Sequence, residues 1–111
     1  MAANTELSTA ASLPAIAYDA SVPTTWQRFD LPTQGNPSKA TVQATGACFV
    51  AFEADGAVDG AAVGNNKFDI DATNAAGGVS FNLSSSRAQR STFICVAAQA
   101  TTITDVRVMA E

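Results

Sequence analysis

The sequence contains no histidine. That absence removes the commonest general base and the commonest metal ligand, and it rules out any Ser–His or Cys–His triad within one chain. Charge is scarce too: only 14% of the 111 residues are Asp, Glu, Lys or Arg. The six basic residues, Arg28, Lys39, Lys67, Arg87, Arg90 and Arg107, are scattered, and the net charge is −4. Phosphate binding needs clustered Lys and Arg, so no nucleic acid is expected as a partner. No apolar run reaches the length of a membrane-spanning helix, and no membrane association is expected. A P-loop, a dinucleotide glycine pattern and zinc-type cysteine spacing are all missing. We therefore expect no enzyme activity and no cofactor.

The opening stretch "MAANTELSTAASLPAIA" has neither a basic n-region nor a continuous apolar core. It leads us to expect a protein made and used without Sec export. There are two cysteines, Cys48 and Cys95, each inside an apolar run. They allow two readings, a bridge between sheets as in an immunoglobulin sandwich or a pair of buried thiols acting as small hydrophobes. The expected lack of export favours thiols.

What the chain does have is apolar residues, 47% of the total, in short runs separated by turn chemistry. Strands are expected at 15–20, 24–31, 39–45, 47–54, 67–71, 78–84, 91–98 and 103–110. Val79, Phe81 and Leu83 alternate with Ser80, Asn82 and Ser84, the period of a half-buried strand. Phe68 and Ile70 alternate with Asp69 and Asp71 in the same way. Ile103 has the opposite parity to Val106, which predicts a bulge or twist near Thr104-Asp105. Proline and glycine in "LPTQGNP" (31–37), and Asp-Gly or Gly-Asn pairs in 54–66, take the chain out of the sheets. Further loops are expected at 72–78 and 84–90. No segment sustains a 3.6-residue period, so no helix is expected. Residues 15–111 are thus expected to form one all-β domain, a two-sheet sandwich of about eight strands, jelly-roll-like in strand count, although periodicity does not choose between jelly-roll and immunoglobulin-like topology. Residues 1–14, polar and Ala-rich, read as an extended N-terminal arm with Leu7 and Leu13 as its sizeable apolar anchors.

Two runs stand out, "ACFVAF" (47–52) and "TFICVAA" (92–98), because both parities are apolar. A strand in a small domain buries one face in its own core, so something else must cover the other. Phe49 is the expected outward anchor on the first run. Trp26 shares its parity with Arg28 and Asp30, so it is either an outward ring or a ring packed at the sandwich edge. Arg87 and Arg90 flank a loop tip and suit an interface as well as solvent. The acidic pairs Asp55/Asp59 and Asp69/Asp71 do not match calcium-loop spacing, since no Glu closes "EADGAVDG". They are better read as turn and strand-surface residues.

The stretches "VPTTWQRFDLP", "ATVQATGACFVAFEADG" and "RSTFICVAAQATTITDVRVMAE" follow one another as an early Trp strand, a strand with an Asp-Gly turn, and a final Ala/Thr-rich strand pair. In that style and order, 15–111 resembles the small all-β virion proteins of tailed bacteriophages, above all the capsid decoration, or cement, proteins. The resemblance implies self-association, often as a homotrimer, and binding to the major capsid protein or another virion protein. It also implies a place on the capsid surface after assembly in the host cytoplasm. Neighbouring subunits would then cover the second faces of 47–52 and 92–98, with Leu7, Leu13, Trp26, Phe49, Arg87 and Arg90 as interface residues. An alternative is a fibre or head-spike module of the same kind of virion, binding a receptor or glycan.

Overall fold

The computed structural model describes residues 4–6, 15–30, 37–52, 67–83 and 93–111. They form an all-β sandwich. The strands are β1 (Asn4–Glu6), β2 (Ala15–Asp19), β3 (Gln27–Asp30), β4 (Lys39–Gln43), β5 (Cys48–Phe52), β6 (Phe68–Ile70), β7 (Val79–Asn82), β8 (Phe93–Ala98) and β9 (Val106–Ala110). Eight of them, β2 to β9, make two antiparallel sheets of four, β3-β8-β5-β6 and β2-β9-β4-β7. β1 adds a fifth, parallel strand beside β3, with Thr5 opposite Phe29. So three residues of the expected arm lie along a sheet edge of their own chain. The rest of 1–14 lies outside the described residues, Leu7 and Leu13 included.

The pairing has a simple order. β2 pairs with β9, β3 with β8, β4 with β7 and β5 with β6. The first four of these strands and the last four therefore form one long hairpin. Its wrapping is closed by β4 on β9 and β5 on β8. The inner faces meet in a core that includes Phe29, Val42, Cys48, Val50, Ile94, Val96, Val106 and Val108. Alternation places them: on β9, Val106, Val108 and Ala110 are buried, Arg107 is exposed and Met109 is half-buried.

The parity break near Thr104-Asp105 is real. Ile103 forms an isolated bridge with Val22, through two main-chain bonds of 2.8 and 3.0 Å. Asp105 then takes φ 57°, left-handed backbone that Asp tolerates better than most residues. That single residue re-aims the chain, so both Ile103 and Val106 are buried despite opposite parity. Gly46 sits against this corner, where a Cβ would lie 2.7 Å from Ile103 Cγ2.

One expectation fails. Within 72–78, read as a loop, Ala72–Gly77 is a short helix, α1. Asp71 caps it by accepting the Asn74 N–H at 2.8 Å. Asp71 therefore belongs to a helix start, not to the face of β6 with Asp69. α1 packs Ala75 into the core and gives its carbonyl to the Ala44 N–H at 3.0 Å. A helix this short shows no period in the sequence, and its order comes from the cap and from packing.

Candidate functional site

The outer face of β3-β8-β5-β6 answers what covers the two-faced strands. Cys95 and Ala97 on β8, Ala51 on β5 and Trp26 just before β3 form a second buried cluster. Trp26, Cys95 and Ala97 are wholly buried within the single chain. Phe49 and Phe93 pack against this cluster half-buried, each with a cation over its ring. Lys67 Nζ lies 4.0 Å from the Phe49 centroid and Arg28 Cζ 4.1 Å from that of Phe93. Arg28 is held in turn by an ion pair with Asp30. Much of this face therefore needs no neighbouring subunit to bury it.

The structure thus places Phe49 outward, as expected, but on a cluster of its own chain. Trp26 is no exposed platform. Its Nε1 is buried without a hydrogen-bond partner, as is Oε1 of Gln27 beside it. Arg87 and Arg90 lie outside the described residues, as do Asp55 and Asp59. Asp69 pairs with the Gln99 amide, which also lies 3.1 Å from Cys48 O and 3.2 Å from Ile70 O. Among the described residues no three His, Cys, Asp or Glu side chains gather as a metal site requires. No helix among them is long and apolar enough to cross a membrane.

The two cysteines are not bridged. Cys48 belongs to the inner core and Cys95 to the outer cluster, although their strands pair directly. The inter-sheet bridge is excluded by that arrangement: both thiols are on one sheet, facing opposite sides of it. Burial, with a smaller contribution from the Asp69 charge, pushes the Cys48 thiol up to about 11.

The other sheet carries what the sequence reading missed. β2 is turned so that Ala17 is buried while Ile16 and Tyr18 face out, 61% and 47% exposed. Register sets Ile16 opposite Met109 and Tyr18 opposite Arg107, whose guanidinium stacks 4.9 Å from the tyrosine ring centroid. The Tyr18 hydroxyl donates to Asp105, and that bond holds its proton above the ordinary tyrosine range. Thr41 and Gln43 of β4 and Gly77 complete a shallow concavity of about 190 Å³ around Ile16 and Met109. Among the described residues the third exposed large hydrophobic is Phe68 on β6, 52% exposed. Its ring centroid is 4.9 Å from that of Phe81 on β7, at a cleft of about 460 Å³ between the two edge strands. In "AIAYD" the alternation is plain, but nothing in the sequence says which parity faces inward.

No known protein family, curated protein or solved structure matches this chain.

Proposed function

We propose that this chain is a non-enzymatic structural protein of a tailed-bacteriophage virion, a capsid decoration subunit that associates with itself and docks on the capsid lattice. The observation that carries the reading is β2, a strand that buries its alanine and displays its isoleucine and tyrosine. Tyr18 is tied to its own chain through Asp105 and Arg107, but a solitary domain gains nothing from leaving Ile16 exposed. A partner covering Ile16 gains about 1 to 2 kcal/mol per copy, and Met109 and the short side chains around it allow close approach. The wrapped-hairpin strand order supports a jelly-roll reading of the sandwich, in keeping with the resemblance. The glycan-binding alternative loses its best support, since Trp26 offers no face to a sugar ring.

The test is rebinding to particles stripped of the protein. Ile16→Asp is expected to keep the melting temperature and circular dichroism of the parent while losing occupancy on the particle. Occupancy equal to the parent's would remove this face from the docking reading. Phe49→Asp is the contrast, because Phe49 packs on the chain's own outer cluster and its loss is expected to lower stability first.

A further inference from the structure

The edge strand β7 carries a second, independent signal. The Leu83 N–H donates to Ser38 O at 2.8 Å, and the β4–β7 register sets Ala40 opposite Phe81 and Val42 opposite Val79. On the other side of β4, Lys39 and Glu111 exchange main-chain bonds of 3.0 and 2.9 Å. Antiparallel alternation then fixes every direction: the even residues of β4 address β7, and the odd residues of β7 address β4. The main-chain N–H and C=O of Ser80 and Asn82 point the opposite way, to the outer edge. Among the described residues β7 pairs only with β4.

Open edges of natural sheets are guarded by charges, prolines or bulges. Among the described residues this edge has no such guard. From 72 to 86 the sequence has no charged residue and no proline. Along the same edge, Phe68 stands half exposed over Phe81, and Val79 and Leu83 are only partly buried.

We infer that β7 is a self-pairing edge, on which β7 of a second copy lies antiparallel about a two-fold axis at Phe81. This rests on the self-association in the proposed function and gives it a route. Centred there, Ser80 of one copy faces Asn82 of the other, and their outward main-chain groups exchange four N–H···O bonds. The same register sets Val79 opposite Leu83, so the apolar inner-face residues of the second copy close over Phe68 and the cleft. No charge on either strand opposes the approach, and the partner carries an identical set of donors and acceptors. The second copy is the occupant inferred because the symmetric register sets this uncharged, proline-free edge against itself and pairs apolar Val79 with apolar Leu83.

The experiment is light scattering of the full chain with amide hydrogen exchange on the same samples. The parent is expected at twice the chain mass, with exchange at the Ser80 and Asn82 amides slowing as concentration rises. Asn82→Pro removes an N–H that its own sheet does not use, so the fold is expected to survive while the mass halves. Ser80→Lys makes the same test without constraining the backbone, by setting like charges close together across the axis. A parent that is monomeric at every concentration overturns both this pairing and the self-association reading. An oligomer that persists in both variants, or a trimer with fast exchange at Ser80 and Asn82, overturns the edge pairing alone.

Discussion

Cys48 and Cys95 lie on neighbouring antiparallel strands of one sheet and face opposite sides of it, one into the core and the other into the outer cluster. Their Cβ vectors diverge, so a bond between them would need a strand to be turned over. The native protein is therefore expected to resist alkylation, since both thiols are buried, and to take up two labels once denatured without reductant. A two-dalton mass deficit with no label would contradict the arrangement.

Cys48 also predicts a pH dependence. Its thiol is raised from an ordinary value near 9 to about 11 in the folded chain, chiefly by burial. The raised group favours the protonated form in the native state. Its contribution is thus intact below about 9 and is lost as pH rises towards about 11. Two units correspond to about 2 to 3 kcal/mol. Urea unfolding of the parent and of Cys48→Ala across this window is expected to show a steeper alkaline loss in the parent. Parallel curves would mean that the thiol titrates normally.

Gly46 predicts a steric cost. A Cβ there falls 2.7 Å from Ile103 Cγ2, in the corner where Ile103 bridges Val22. Gly46→Ala is expected to cost about 1 to 3 kcal/mol. Ile103→Ala removes the clashing methyl, so the double variant is expected to be more stable than the sum of the single losses. Strict additivity in urea midpoints would show that the two sites do not touch.

The arm gives a fourth prediction. Ordering a residue costs roughly 1 to 2 kcal/mol of backbone entropy, and β1 returns three residues of parallel pairing to β3. Deleting residues 2–12 is expected to leave the sandwich folded, with a modest drop in melting temperature, and to weaken attachment to stripped particles. A collapse of the melting temperature would instead assign the arm to the core.

How much of this was legible in the sequence depends on which interaction decides each feature. Strand existence was, because Val79, Phe81 and Leu83, or Val106 and Val108, alternate at a period that only a half-buried strand satisfies. The corner at Asp105 was too, since the parity change between Ile103 and Val106 requires one residue out of step. α1 was not: six residues show no period, the local Asp71 cap suits a turn as well as a helix start, and the burial of Ala75 depends on what lies beneath. Trp26 could be read either way, for parity alone does not tell a covered outer face from an open one.

The sequence by itself determined the class of structure. Local alternation and turn residues are properties of neighbours in the chain, and they sufficed for a two-sheet β-sandwich with buried cysteines. Only the tertiary structure decided which parity of "AIAYD" faces the core, that Cys48 and Cys95 share one sheet, and that β7 is an edge among the described strands. Those are matters of strand order and register. They are set by pairings between residues dozens of positions apart, such as Ile16 with Met109 or Cys48 with Ala98, and no local pattern encodes them.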